Sequence, residues 1–438
     1  MRPTSWLLTA IAVATLAAMA WGSVERFPPP ELPADHPLPQ PTTPAPRGGD
    51  LALLDVAVLL ATLALASVFA VVLRNRKLML ATMLFSLAYF GFYRRGCVCP
   101  IGAIGNVSWA LAGGYVLPAV VLVFFLAPLA TALITGRTFC ASVCPLGAMQ
   151  DVVALKPVKV PFWLEQILGL MAYLYLALAV LLAWTGSGFA ICQYDPFVSF
   201  FRLSGAWNML AIGVALLAIG VFFARPYCRL FCPYGVLLRL LSRVSWKRVR
   251  ITPAECIRCR LCEDACPYGA IRPPTDTRPT DRRRGKLILA CLLALAPVLT
   301  AAGALGARRL SGVLWQANPT VRLAQRVAAE RAGEFSDTTK ASEAFYRSSG
   351  NFEALMAQAR QKQVDLADGA TWLGAFMGLV IALKLIGLHT RRRRQDFEAD
   401  PAACLACGRC YNYCPVHRAH RTGDFATLEK LKAATSKT

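Results

Sequence analysis

Histidine is nearly missing. The 438 residues hold four, His36, His389, His417 and His420. A b-type haem needs two axial imidazoles in a membrane bundle, and only His389 lies near the end of an apolar segment, so no haem is expected. No Cys-x-x-Cys-His occurs, which removes c-type haem, and no flavin attachment motif is found. Charge is scarce too: 16% of residues are charged, where soluble domains carry about 25%. With 56% hydrophobic residues, a purely soluble or a disordered chain is excluded. Acidic residues number 25 against 47 basic ones, a net charge of +22. No RNA- or DNA-reading motif accompanies that excess, so nucleic acid is not an expected partner.

What is there is apolar sequence in long runs. Crossing a ~30 Å hydrocarbon core takes roughly 20 helical residues. Trp6–Ala20, Leu51–Leu73, Leu78–Tyr93, Ser108–Ile134, Phe162–Trp184, Trp207–Ala224, Leu287–Leu305 and Thr371–His389 approach or exceed this. Lipid leaves backbone groups no external partner, so the runs are read as helices. The expected fold is an all-α polytopic membrane protein with seven or eight transmembrane helices. Residues 1–21 read as a signal peptide or an anchor helix. Residues 22–50, rich in proline, read as an extended periplasmic linker. Dense Arg/Lys runs at 74–77, 239–250, 282–286 and 391–394 fall on one side by helix count, which makes that side the cytoplasm. Arg94 and Arg95 are the exception. Glu165-Gln166, a polar pair near a helix end, is read as snorkelling to the interface or as part of a quinol site. Helical spacing within the outer loop 306–370 offers a docking face for a periplasmic partner or a face that packs on the membrane.

Sixteen cysteines are too many for chance packing and too few for a disulfide scaffold. Cys256-x2-Cys259-x2-Cys262-x3-Cys266-Pro267 and Cys404-x2-Cys407-x2-Cys410-x3-Cys414-Pro415 have bacterial ferredoxin spacing. In that pattern three thiolates of a run hold one cubane and the fourth reaches the other. Cys256, Cys259, Cys262 and Cys414 are therefore expected at one 4Fe–4S cluster, and Cys404, Cys407, Cys410 and Cys266 at a second. Residues 267–403 separate the runs, but an even number of crossings returns them to one side. The layout is a transmembrane core over 51–250, a first ferredoxin half over 251–285, a helix over 286–305, the outer loop, a helix over 371–390, and a second half with tail over 391–438.

Two further runs repeat one another: Arg137-x2-Cys140-x3-Cys144-Pro145-x-Gly147 and Arg225-x2-Cys228-x3-Cys232-Pro233-x-Gly235. Their four thiolates suit a third cluster, a zinc site or a thiol relay; equally, each Cys-Pro only ends a helix. Cys97, Cys99 and Cys192 fall together on the outer side. They suit a metal site with one non-cysteine ligand, a disulfide from Cys192 to Cys97 or Cys99, or plain packing. Cys291, alone in mid-helix, reads as a small apolar filler. His417 and His420 read as solvated surface.

Membrane helices, two Cys-x3-Cys-Pro-x-Gly motifs and ferredoxin runs together resemble the NosR/NapH-type membrane polyferredoxins over roughly Arg94 to Pro415. The resemblance implies electron transfer between a quinol or cytoplasmic donor and a periplasmic reductase or partner subunit, at the bacterial inner membrane, with the ferredoxin module and C-terminus cytoplasmic. It also implies, as an alternative, a maturation or regulatory factor for a periplasmic metalloenzyme. The chain reads as an electron-transfer component rather than a stand-alone enzyme. Residues 22–50 are too short for an N-terminal flavin domain, and the split ferredoxin runs differ from the shorter NapH layout.

Overall fold

The computed structural model describes residues 48–429, apart from 97–98, 156, 159, 203–206, 248, 252–255, 276–281, 336, 349, 391–393, 424 and 427–428. The expected leader, nearly all of the Pro-rich linker, His36 and Cys97 lie outside these residues. Helix α1 (Gly49–Ser67) runs on as a π-helix to Val72, and α2 (Arg76–Ser86) runs on as one to Tyr93. Helices α3 (Pro100–Leu111) and α4 (Ala119–Thr135) follow. The stretch Ser108–Ile134, read above as one span, is thus two helices. Gly113 adopts φ +79° and Pro118 is extended; the first breaks the right-handed path and the second lacks the N–H to rejoin it.

Each Cys-x3-Cys-Pro run folds the same way. A five-residue helix carries the first cysteine: α5 (Thr138–Ser142) in one copy. The second cysteine then caps a longer helix whose first residue is the proline: α6 (Pro145–Val153). After α7 (Leu170–Trp184) and α8 (Trp207–Gly220), the pattern recurs as α9 (Pro226–Leu230) and α10 (Pro233–Arg243). Proline suits that first position because its missing N–H has no helical acceptor there. Cys99 before α3 is placed likewise.

The C-terminal third is a long antiparallel hairpin of α11 (Arg282–Arg309) and, beyond the outer helix α12 (Pro319–Arg331), α13 (Phe352–His389). Helix α13 joins two segments that were read separately, the helical pattern after Phe352 and the span Thr371–His389. At the hairpin's base His389 Nε2 lies 2.9 Å from the Gly285 carbonyl oxygen. The outer helices form a small core of Val321, Ala324, Val327, Leu355 and Ala359. They are tied to the loop after α7 by Asn318 Nδ2 donating to Ser187 Oγ (2.9 Å) and by Lys362 Nζ donating to the Thr185 carbonyl (2.9 Å). Cys291 faces outward from α11. It does not fill a packed interior, because that part of α11 turns its apolar surface away from the bundle.

Among the described residues, four helices are long and apolar enough to cross a membrane: Gly49–Val72, Trp163–Trp184, Arg283–Arg309 and Phe352–His389. Pro196–Arg202 with Trp207–Gly220 makes a fifth if taken as one bent span.

The hairpin returns the chain to the first ferredoxin half. There β1 (Ile271–Arg272) pairs antiparallel with β2 (Glu398–Ala399), Ile271 opposite Ala399 and Arg272 opposite Glu398. The Asp400 amide extends this ladder to the Ala270 carbonyl (2.8 Å). A single apolar core joins Leu59 and Leu63 of α1, the α5–α6 and α9–α10 turns, and Tyr268, Leu405 and Tyr411 of the ferredoxin halves.

Candidate metal centres

Each ferredoxin run wraps in the same way. In Cys256–Cys262 the left-handed residues are Arg258 (φ +53°) and Arg260 (φ +61°); in Cys404–Cys410 they are Ala406 (φ +57°) and Gly408 (φ +75°). These positions match: two after the first cysteine and one after the second. Left-handed backbone is uncommon outside glycine, and here it curls the loop so that successive sulfurs face one centre. The third cysteine sits on a short helix, Leu261–Asp264 or α14 (Arg409–Tyr413), and Cys414 caps α15 (Pro415–Thr422).

The fourth cysteines cross over. Cys256, Cys259, Cys262 and Cys414 line one pocket, with Ile251, Ile257, Phe397 and Val416 on its wall. Cys266, Cys404, Cys407 and Cys410 line another, with Tyr268, Ala270, Ile271 and Ala399 on its wall. Three sulfurs come from one run and the fourth from the other in both. Burial pushes the Cys262 and Cys404 thiols up to about 12. Sulfurs so placed ionise only when a cation compensates them, and iron does so on binding. The donor set and apolar walls fit a cubane at each cavity. Beside them, His417 packs against the Tyr411 ring (5.5 Å) and His420 is exposed.

The four cysteines of the repeated motif lie near enough to act electrostatically on one another. Cys140, Cys144, Cys228 and Cys232 are each no more than 8% exposed. Their sulfurs are supplied with donors: Arg137 Nη2 at 3.7 Å from Cys140 Sγ, Gln150 Nε2 at 3.3 Å from Cys228 Sγ, and the Gly235 amide at 3.3 Å from Cys232 Sγ. Arg225 is fully buried. Its Nε donates to Asp151 Oδ1 (2.8 Å), its Nη2 to Asp151 Oδ2, and its Nη1 to the Cys140 carbonyl. Burial opposes ionisation of Asp151, but Arg225 outweighs it and holds the carboxyl below the usual range. Tyr268 Oη donates to the same Asp151 Oδ1 (2.7 Å). The Arg three residues before each first cysteine was visible in the sequence as part of the repeat. Asp151, Gln150 and Tyr268 were not singled out for this site, because nothing in their spacing reveals the fold that gathers them.

Cys99 and Cys192 approach the same helical turn: a Cβ on Gly102 would lie 3.3 Å from Cys192 Sγ, and Cys99 begins that helix. Among the described residues no disulfide joins Cys99 to Cys192; Cys97 is outside them. Glu165 does not snorkel alone. Its Oε1 accepts from Arg229 Nη2 (2.6 Å), the residue after Cys228, while Lys384 Nζ donates to the Gln166 carbonyl (2.7 Å).

Three family matches fall on these features. Residues 117–171 and 206–252 match a 4Fe–4S binding domain that takes in both Cys-x3-Cys-Pro runs. Residues 249–272 and 401–419 match two further 4Fe–4S binding domains, one on each ferredoxin run. An uncharacterised protein of Methanocaldococcus jannaschii is 29% identical over 188 residues, 41% of this chain and 76% of that protein. Protein NirI of Paracoccus denitrificans is 27% identical over 226 residues, 47% of this chain and 33% of NirI. Regulatory protein NosR of Pseudomonas aeruginosa is 28% identical over 211 residues, 43% of this chain and 29% of NosR. The chain thus spans about a third of the length of the latter two. No solved structure matches. With a 4Fe–4S domain match on every one of these cysteine motifs and helices long and apolar enough to span a bilayer beside them, the chain is similar to the NosR/NapH-type membrane 4Fe–4S ferredoxin proteins.

Proposed function

We propose that this protein is a membrane-bound iron–sulfur electron relay of the inner membrane. In this reading Cys256, Cys259, Cys262 and Cys414 hold one 4Fe–4S cluster, and Cys266, Cys404, Cys407 and Cys410 a second. Cys140, Cys144, Cys228 and Cys232 hold a third centre. A bound cluster supplies one-electron chemistry at iron. The chain's residues set its potential through burial, nearby charge and N–H donors to sulfur, such as the Ala406 amide 3.4 Å from Cys404 Sγ. The ferredoxin module faces the cytoplasm. Electrons pass between a quinol or cytoplasmic donor and a respiratory reductase or partner subunit on the periplasmic side.

One observation carries the reading: two cavities, each built from three cysteines of one run and one of the other, although 267–403 lie between the runs. Anaerobic iron and sulfide analysis of the purified protein should give about twelve irons for three cubanes; about eight would leave Cys140, Cys144, Cys228 and Cys232 without iron. Exchange of the fourth ligands makes a sharper test. Cys414→Ser should remove the EPR signal of the site built on the Cys256 run, and Cys266→Ser that of the site built on the Cys404 run. If each substitution instead damaged only the cluster of its own run, the crossed ligation would be wrong.

A further inference from the structure

Two buried polar links join the second ferredoxin pocket to the four buried cysteines of the repeated motif, and both end on Cys140. The first begins at Tyr268, on the cavity wall two residues after Cys266. It passes through Asp151 to Arg225 and ends where Arg225 Nη1 donates to the Cys140 carbonyl. The Arg225 guanidinium also lies 5.6 Å from the centre of the Tyr268 ring. The second link is one side chain. Arg137 donates from Nη1 to the carbonyl of Ala402 (3.2 Å), two residues before Cys404, and from Nη2 to Cys140 Sγ (3.7 Å). The hydrogen bonds of both links go to residues other than those that line the first pocket.

Docking alone does not call for such groups. Apolar side chains of similar size hold two surfaces together at lower cost than buried ions, which must be stripped of water. The two links carry two guanidiniums and one carboxylate, a net positive charge between two cysteine-rich sites, to which Arg409 on the pocket wall adds another. Positive charge next to an anionic centre favours its reduced form, and it acts more strongly where water is excluded.

We propose that Tyr268, Asp151, Arg225 and Arg137 form a fixed bridge that makes the Cys140/Cys144/Cys228/Cys232 centre the direct electron partner of the Cys266/Cys404/Cys407/Cys410 site and sets the potential of both. This rests on the reading above that both sites hold iron–sulfur clusters. The cluster at Cys256/Cys259/Cys262/Cys414 is then the outer station, the other ferredoxin cluster the middle one, and the Cys140/Cys144/Cys228/Cys232 centre the inner one. Transfer across the bridge oxidises one centre by a single electron and reduces the other by one. No bond is made or broken, and Arg225, Asp151 and Arg137 keep their charges throughout.

The test is an EPR-monitored redox titration of the full-length, anaerobically purified protein, with signals assigned through Cys266→Ser, Cys414→Ser and Cys140→Ser. Asp151→Asn removes a negative charge from the bridge and should shift the potentials of the middle and inner centres upward. Arg137→Gln removes a positive charge and should shift both downward, while Arg137→Lys should restore them. The outer centre should move least in each. Shifts of opposite sign from charges of opposite sign are not what a purely structural role would give. Unchanged potentials in Arg137→Gln, or shifts of one sign in both variants, would overturn the bridge. Should Asp151→Asn not retain iron, the Arg137 pair decides alone. Wild-type protein without iron at Cys140 would overturn the underlying three-centre reading instead, and would do so before any variant is made.

Discussion

Arg94 lies next to Arg95 on the side where the charge pattern expects few cations, and its neighbours explain it. Asp55, 2% exposed within the apolar helix α1, accepts from Arg94 Nη2 (2.9 Å) and from Tyr89 Oη (2.8 Å). A carboxylate inside a membrane helix persists only with partners of this kind. Replacing Arg94 by Met removes the cation and leaves the acid buried, which should cost about 3–5 kcal/mol. It should appear as a lower unfolding temperature in detergent, and Asp55→Leu combined with Arg94→Met should recover most of the loss. A single Arg94→Met protein as stable as the parent would show that the pair contributes nothing. The pairing was not legible in the sequence, since Asp55 and Arg94 are far apart and neither belongs to a motif. The grouping of the eight cysteines of the 256–266 and 404–414 runs around two pockets was legible, because spacing alone sets out the pattern. The left-handed Arg258, Arg260 and Ala406 that make their loops wrap were not, since non-glycine residues give no signal for that conformation.

The hairpin of α11 and α13 decides whether the two ferredoxin halves meet, and three glycines decide whether the hairpin closes. A Cβ on Gly374 would lie 2.1 Å from the Gly303 carbonyl oxygen, and one on Gly378 would lie 2.2 Å from that of Leu299. Gly374 and Gly378 are four residues apart on one face of α13, the small-residue spacing that lets membrane helices pack backbone to backbone. Gly374→Val should therefore force the helices apart and carry β2 and the second cysteine run away from β1. Iron at both ferredoxin sites should fall while the protein still inserts in the membrane. Gly306→Ala, which meets open space, should keep its iron and serves as the control. A Gly374→Val protein with its full iron content would show that the halves associate without the hairpin. At this scale the apolar runs made most of the helices legible. The break at Gly113 to Pro118 was not, because an apolar run reads the same whether one helix or two thread through it. The glycine crossing was missed because a helix face carries no label for what packs on it.

Across the whole molecule, the basic runs and the ferredoxin module gather at one end. Tyr411 of the second half donates to Met79 Sδ (3.4 Å) just after the Arg74–Lys77 run. The Trp246 and Lys247 amides, within the 239–250 run, donate to the Leu133 and Ile134 carbonyls at the C-terminal end of α4. The Arg394 amide donates to Thr275 Oγ1 (3.0 Å) beside the β1–β2 pair. The helices around α12 sit at the far end of the hairpin, against the loop after α7. Cations are retained on the cytoplasmic side during insertion, so the end bearing these runs should be cytoplasmic and the α12 end periplasmic. Alkaline phosphatase inserted at Gly333, in the turn after α12, should be active, because its disulfides form only in the oxidising compartment. The same enzyme joined after Gly423, at the end of α15, should be inactive, while a fluorescent protein there should glow. The reverse pattern would place the ferredoxin sites outside the cell's reducing compartment, and the proposed cytoplasmic electron entry would fall with it. Activity at both positions would mean that the hairpin does not bring the chain back across the bilayer, which the β1–β2 pairing forbids. The reporter result and the pairing therefore stand or fall together.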